Sequence, residues 1–133
     1  MIEWNDSLII NHDEIDEQHK ELIRMLNEID AAIDSEDFNY TNIVNLVAGL
    51  ERYVKTHFDY EERLMFEYSY PYIAEHTKEH NVFRDKLQNT YVLEIDSPKE
   101  FYHEMSEYLM QWLTQHILKV DKQFSRYLSD NKK

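Results

Sequence analysis

The chain has 133 residues with 42% hydrophobic side chains, which is long and apolar enough for a single domain, over 1–133, with its own core. A formal net charge of −13 disfavours nucleic-acid and anionic-membrane partners, and the absence of cysteine excludes disulfides, thiolate metal sites and iron–sulfur clusters. Because the N-terminus lacks a signal-peptide pattern and no stretch approaches the roughly 20 apolar residues of a membrane span, we expect a cytoplasmic protein.

Residues 1–12 are predicted to form a short arm whose apolar side chains pack over the helices that follow: Trp4, Leu8, Ile9 and Ile10. The first helix is predicted over 13–34. Its core-facing positions follow the three- and four-residue spacing of a bundle helix: Ile15, His19, Leu22, Leu26, Ile29 and Ile33. The second helix is predicted over 40–66, with these core-facing positions: Ile43, Val47, Leu50, Val54, His57, Glu61 and Leu64.

The third helix is predicted over 72–90, after Pro71, with these core-facing positions: Ile73, His76, His80, Phe83 and Leu87. The fourth is predicted over 98–128, with Ser97 as N-cap and Pro98 as the first helical residue. Its core-facing positions are Phe101, Met105, Leu109, Trp112, His116, Val120 and Phe124. Four amphipathic helices with short connections predict an all-α, up-down-up-down four-helix bundle, which we expect to be a monomer or weak oligomer.

Polar side chains occupy several of these core-facing positions. Five of the seven histidines lie there, at least one on each helix, and Glu61 follows His57 by four residues. A single core histidine is more often a hydrogen-bonded structural residue than a ligand. The five histidines and Glu61 together are harder to explain as structural residues, because a buried unpaired carboxylate costs several kcal/mol. A metal ion would satisfy all six polar groups together. His12 is assigned to the arm, His103 to an outer face, and surface acids such as Glu62 to solvent.

The donor set limits the metal. Five imidazoles and a carboxylate suit iron, zinc or copper. Five histidines exceed the three protein ligands of one catalytic zinc, so two metal ions are favoured. The alternative bundle is the ferritin-like carboxylate type, which needs two Glu-x-x-His motifs and two further glutamates. The chain has Glu100-x-x-His103 on an outer face and no convincing second copy, which disfavours this alternative.

Four motifs resemble the hemerythrin family in its compact, single-domain bacterial form: IDEQH at 15–19, HFDYEE at 57–62, HTKEH at 76–80 and WLTQHILKVD at 112–121. The resemblance implies seven metal ligands: His19, His57, Glu61, His76, His80, His116 and Asp121. Asp121 rests on the resemblance alone, because at about 100° per residue it lies about 140° around an α-helix from His116. Asn11 is a departure, because the family often has glycine there.

The resemblance also implies a function. Two irons with a bridging oxo or hydroxo group would share both carboxylates, and O2 would bind reversibly and end-on at one open position, on the iron held by His19 and His57. Such a protein is an O2 carrier, store or sensor and not an enzyme. The family's apolar oxygen pocket matches these residues: Phe58, Trp112, Leu113 and Ile117. The alternative is a diiron oxidase, peroxidase or nitric-oxide scavenging enzyme with the same centre.

Overall fold

The protein is a bundle of helices joined by short connections. The computed structural model describes residues 2–89 and 98–131, and no strand occurs among them. The helical elements are a 3₁₀ turn in the arm (Asp6–Leu8), α1 (Asp13–Asp34), α2 (Tyr40–Glu67), α3 (Ile73–Gln88), α4 (Pro98–Gln115), a π-helical segment (His116–Asp121) and α5 (Lys122–Asp130). The last three form one continuous run. The helix α1 packs against α2 and α4, and α2 packs against α3. The predicted all-α helical bundle is confirmed.

The first two helices begin with side-chain caps. Nδ1 of His12 accepts a hydrogen bond from the Ile15 amide at 3.3 Å, and Oδ1 of Asn39 accepts one from the Asn42 amide at 3.0 Å. Each cap satisfies an amide in the first turn that has no partner within the helix. His12, assigned only to the arm from the sequence, therefore fixes the start of α1.

The connection between α2 and α3 is a tight turn. Ser69 adopts φ 53°, Pro71 follows, and the Tyr127 hydroxyl of α5 donates to the Tyr68 carbonyl at 2.6 Å. The turn therefore reverses the chain and is tied to α5. Two predicted helix boundaries lie outside the described residues: the end of the third helix at Thr90 and the N-cap of the fourth helix at Ser97. No helix in the described ranges is long and apolar enough to cross a lipid bilayer.

The arm packs on the bundle largely as predicted. Leu8 and Ile10 are buried and Trp4 is partly buried against the core, but Ile9 is 37% exposed, so its predicted packing is wrong. Leu8 ends the 3₁₀ turn and the chain becomes extended at Ile9, so Leu8 and Ile10 take the buried side and Ile9 faces outward.

A buried carboxylate holds the junction between the arm and α1. The Ile10 amide donates to Oδ1 of Asp16 at 2.9 Å, and the His12 amide donates to Oδ2 at 3.3 Å. Between them Asn11 has φ 64°, in the left-handed region where glycine is most easily accommodated. Asparagine is among the few other residues that adopt it, which explains how the chain departs from glycine here.

The core differs from the predicted helix faces near the helix ends. Leu64 and Phe101 are half-buried, whereas Met65 and Tyr102 are buried in their place. A straight α-helix drifts relative to a strict 3.5-residue spacing, so core-facing positions extrapolated along a long helix shift by one residue. In the last helical run Val120 is also half-buried while Asp121 is fully buried, and this second shift has a different cause.

Candidate metal centre

The interior of the bundle holds a cluster of imidazole and carboxylate side chains contributed by every long helix. Each member is at most 3% exposed, and together they are the seven residues that the family resemblance nominates: His19, His57, Glu61, His76, His80, His116 and Asp121. The pairs His57/Glu61 and His76/His80 are each four residues apart, so successive turns of α2 and α3 present both members to the same side.

The donor atoms fall into two groups, and within each group they all lie within 4.8 Å of one another. The three-histidine group consists of His76, His80, His116, Glu61 and Asp121. The two-histidine group consists of His19, His57, Glu61 and Asp121. The two carboxylates belong to both groups and therefore lie between them.

Asp121 connects the two groups through its two oxygens. Its Oδ2 lies 3.0 Å from Nε2 of His19, whereas its Oδ1 lies 3.1 Å from Nε2 of His76 and 3.2 Å from Nε2 of His116. Glu61 occupies the other side of the junction. Its Oε1 lies 3.4 Å from Nε2 of both His57 and His80.

A local change in helix type brings Asp121 into the centre. Residues His116–Asp121 form a π-helical segment, whose hydrogen bonds join residues five apart. A turn of this kind contains more residues than an α-helical turn, so Asp121 comes round to the side of His116, with its Oδ1 3.2 Å from Nε2 of His116, and Val120 moves outward. An α-helical advance of about 100° per residue would instead turn Val120 into the core and Asp121 away from it, so the prediction of Val120 as a core residue is wrong and Asp121 follows only from the family resemblance.

The cluster has the polar character that a cation would satisfy. Within the described part of the chain, these buried atoms have no hydrogen bond of suitable geometry: both oxygens of Glu61 and of Asp121, and Nε2 of His19, His57 and His80. The imidazole–carboxylate distances are short, but the angles do not suit hydrogen bonds. Burying two unpaired carboxylates is costly. Imidazole nitrogens and carboxylate oxygens that converge at these distances are donors for a first-row divalent metal.

Burial and mutual proximity move the pKa values of the two carboxyl groups in opposite directions. Burial, reinforced by the charge of Asp121, raises the pKa of Glu61 to about 8. Burial also acts to raise the pKa of Asp121, but nearby His116 outweighs it and holds that pKa well below its ordinary value. For His116 burial favours a lower pKa, yet Asp121 and Glu79 raise it to about 10. Without metal, the buried cluster therefore retains protons that a cation would displace.

Three of the imidazoles donate from their outer nitrogen, Nδ1, to side chains that the sequence pattern does not place in the site. The acceptors are Gln18 Oε1 for His57 at 2.6 Å, Glu62 Oε2 for His80 at 2.7 Å and Glu79 Oε2 for His116 at 3.0 Å. A hydrogen on Nδ1 leaves the lone pair on Nε2, which points into the cluster. These acceptors therefore set the tautomer that metal binding requires.

The prediction that Glu62 is a solvated surface acid is wrong. Its side chain is only 24% exposed and accepts hydrogen bonds from His80 and, at 2.8 Å, from Nη2 of Arg84. Burial acts to raise its pKa, but the hydrogen bonds from His80 and Arg84 outweigh burial and lower it. Glu62 is therefore ionised and held in place beside the cluster.

The sequence profile of the family described as "Hemerythrin HHE cation binding domain" matches residues 11–128. The chain belongs to the hemerythrin family. Three similar proteins carry the name bacteriohemerythrin. The protein from Clostridium acetobutylicum is 28% identical over 127 residues, covering 93% of this chain and 98% of that protein. The protein from Stenotrophomonas maltophilia is 31% identical over 125 residues, with coverages of 94% and 80%. The protein from Pseudomonas aeruginosa is 28% identical over 118 residues, with coverages of 89% and 75%.

Aromatic rings cover two imidazoles of this hemerythrin cluster. Phe58 stacks on His80 with ring centroids 3.9 Å apart and planes within 3°, and Trp112 stacks on His116 at 4.5 Å and 12°. Both rings thus lie against the three-histidine group. Leu113 and Ile117, the other residues predicted for the oxygen pocket, are buried in the core. The assignment of all four to an oxygen pocket stays a prediction.

Proposed function

We propose that the chain is a non-haem diiron protein that binds O2 reversibly and serves as an O2 carrier, store or sensor. The observation that carries the proposal is that two donor groups share Glu61 and Asp121, with both oxygens of each carboxylate buried and without hydrogen bonds among the described residues. Two shared carboxylates suit two adjacent cations better than one. Membership of a cation-binding family and similarity to bacteriohemerythrins support the same conclusion.

The donor count supports two unequal positions. The three-histidine group offers five protein ligands and the two-histidine group offers four, counting the shared carboxylates in both. The two-histidine group therefore has one protein ligand fewer, so a metal held there would keep more room for an added ligand, beside His19 and His57. Iron held at both groups would supply the two electrons for reversible O2 binding, and we propose that O2 would bind end-on beside His19 and His57.

The protein around the cluster withholds water and protons. Phe58, Leu113 and Ile117 are at most 2% exposed and carry no acidic hydrogen. The imidazole N–H groups of His57 and His80 point outward to Gln18 and Glu62 and are not directed into the centre. Because these three apolar side chains supply no proton, and only the indole N–H of Trp112 is a donor among the predicted pocket residues, release of O2 unchanged is favoured over its release as peroxide.

Metal content and the visible spectrum test the proposal together. The metal-free protein is loaded with Fe(II) without oxygen, iron per chain is measured, O2 is added, and the sample is then evacuated. We expect two irons per chain and a visible band that appears with O2 and bleaches under vacuum. His80→Ala should reduce iron content, whereas His103→Ala, which removes an exposed imidazole, should not.

Other outcomes would contradict specific parts of the proposal. One iron per chain, or zinc as the tightly held native metal, would refute the diiron centre. Two irons that convert rapidly to the ferric state with release of peroxide would refute reversible binding. That result would favour a diiron oxidase, peroxidase or nitric-oxide scavenging enzyme.

A further inference from the structure

The outer hydrogen-bond acceptors follow a regular arrangement. Each is the immediate chain neighbour of a proposed ligand on its own helix, and each reaches a histidine on the next helical run. The pairs are Gln18, beside His19, with His57; Glu62, beside Glu61, with His80; and Glu79, beside His80, with His116. The chain thus links each helix to the next through the outer nitrogen of an imidazole.

The acceptors differ in charge between the two donor groups. Both acceptors of the three-histidine group are carboxylates, whereas the two-histidine group has only the neutral amide of Gln18. The Gln18 amide nitrogen donates to Oε1 of Glu14 at 3.1 Å, so its oxygen must face His57. Within the described residues, Nδ1 of His19 in the two-histidine group and Nδ1 of His76 in the three-histidine group have no partner. Negative charge behind the imidazoles therefore lies on one side of the cluster.

The His80 ring is held at its edge and on its face. Glu62 accepts from Nδ1 of His80 and from Arg84, and the Arg84 guanidinium carbon lies 5.1 Å from the centroid of the Phe58 ring. The same Phe58 ring stacks on His80. Each of four side chains thus contacts the next and the last contacts the first, in the order Arg84, Glu62, His80 and Phe58. These contacts fix the orientation of the His80 imidazole.

His116 is held in a similar way. Glu79 accepts from its Nδ1 at 3.0 Å, and Trp112 covers its face. The Glu79 side chain is 47% exposed, so it acts from the surface of α3 and contributes little to the core. His116 therefore has the same two contacts as His80, a carboxylate at Nδ1 and an aromatic ring on the face. For His116 the carboxylate comes from α3 and the ring from α4.

We propose that Glu62 and Glu79 are positioning residues that act through His80 and His116 to make the three-histidine group the first and tighter of two metal positions. This inference rests on the proposed diiron function. A carboxylate behind a ligating imidazole fixes its tautomer and raises the electron density on Nε2, whereas a neutral amide fixes the tautomer but adds less charge. The three-histidine group has one histidine more than the other group, and this alone would make it bind metal first. The test must therefore change the carboxylates and leave the histidines in place.

Stepwise Co(II) binding to the metal-free protein isolates their effect. Visible absorption gives two dissociation constants, and paramagnetically shifted proton signals from imidazole Nδ1–H groups identify the half that fills first. We expect the first equivalent to shift the signals of His80 and His116. Glu62→Gln and Glu79→Gln keep an acceptor oxygen but lose the charge, and each should weaken the first constant by about tenfold. Glu62→Ala also loses the acceptor and should weaken it by about a hundredfold.

The control removes the same charge at a distance from the cluster. Glu28 lies on α1, is 50% exposed and pairs with Arg24, so Glu28→Gln should leave both constants unchanged. A first constant unchanged in both Glu62→Gln and Glu79→Gln, or a first Co(II) bound beside His19 and His57, would overturn the inference. Because Glu79 is largely at the surface, its variant keeps the test open if Glu62 variants fold poorly.

The same titration distinguishes a failure of the diiron proposal from a failure of this inference. A wild-type chain that binds only one Co(II) would refute two metal positions. The role of the carboxylates would then be decided by that single constant. A tenfold weakening in Glu62→Gln and Glu79→Gln would support it, and an unchanged constant would refute it.

Discussion

Replacing Glu61 by glutamine should stabilise the metal-free protein at high pH while it removes a shared donor from both groups. Burial and the neighbouring Asp121 raise the pKa of Glu61 to about 8. A carboxyl group with a raised folded-state pKa contributes stability that is fully present below its unfolded pKa and is lost as pH rises through its folded pKa. Glutamine stays neutral and does not lose that contribution.

The pKa values give the magnitude. A rise from 4.5 to about 8 corresponds, at about 1.4 kcal/mol per pKa unit, to roughly 5 kcal/mol. From the same linkage, the advantage of Glu61→Gln should be below about 1 kcal/mol near pH 5 and approach about 5 kcal/mol near pH 9. Water that enters the metal-free cluster would reduce the upper value, but not its sign.

Urea unfolding of both proteins in the presence of a chelator measures the difference at each pH. The other titrating groups are common to the two proteins, so subtraction of the two unfolding free energies leaves the contribution of Glu61 together with its effect on the neighbouring Asp121 and His116. Asp121→Asn provides the opposite control, since His116 holds the pKa of Asp121 low. Its ionised form contributes stability above the ordinary pKa of 3.8 that is lost as pH falls. Asp121→Asn should therefore destabilise the metal-free protein near neutral pH, by on the order of 3 kcal/mol.

The pH dependence decides the outcome. If Glu61→Gln changed the unfolding free energy by the same amount near pH 5 and near pH 9, the folded and unfolded chains would bind the same number of protons at Glu61 over that range. The raised pKa of Glu61 would then be wrong. If Asp121→Asn and Glu61→Gln shifted stability in the same direction near neutral pH, the two carboxylates would not have the opposed environments described here.

Two further predictions concern the loaded protein. Because buried donors lack hydrogen bonds in the metal-free chain, the iron-loaded protein should melt at a higher temperature, and equal midpoints in calorimetry would contradict burial of the donors. Leu113 is buried and precedes His116 by three residues, so Leu113→Ala and Leu113→Asn should keep two irons yet lose the oxygenated visible band faster, as water enters. Unchanged decay in both variants, against Leu118→Ala at a 38% exposed position as control, would remove Leu113 from the oxygen pocket.

The sequence predicts the helical class and the histidine cluster for a simple physical reason. Apolar side chains repeat every three or four residues, so a histidine at such a position must face the core if the helix forms. His19, His57, His76, His80 and His116 are all buried as this argument requires. Errors appear where the period drifts, as at Leu64, or where the chain is extended and only one side is covered, as at Ile9.

The outer acceptors could not be derived in the same way. Glu62 and Glu79 lie off the core-facing side of their helices, among 27 acidic residues, and their role depends on how far α2 and α3 are separated and rotated. Periodicity within one helix contains no information about that relation. The sequence does contain one indication of the acceptors, because each of them is adjacent in the chain to a proposed ligand. An adjacent position on a helix is turned by about 100°, enough to reach the neighbouring helix at the edge of the core.

Asp121 shows how helix type and motif spacing depend on each other. If the last helical run were α-helical throughout, Val120 would face the core and Asp121 would lie about 140° away from His116. Glu61 would then be the only carboxylate at the junction of the two groups. The π-helical segment adds one residue to the turn, so Asp121 points inward, and three residues later Phe124 is again in the core. The five-residue spacing from His116 to Asp121 is therefore compatible with a shared carboxylate only where the helix is locally widened. In a chain that already places five histidines on core-facing positions, that spacing predicts a π-helical turn.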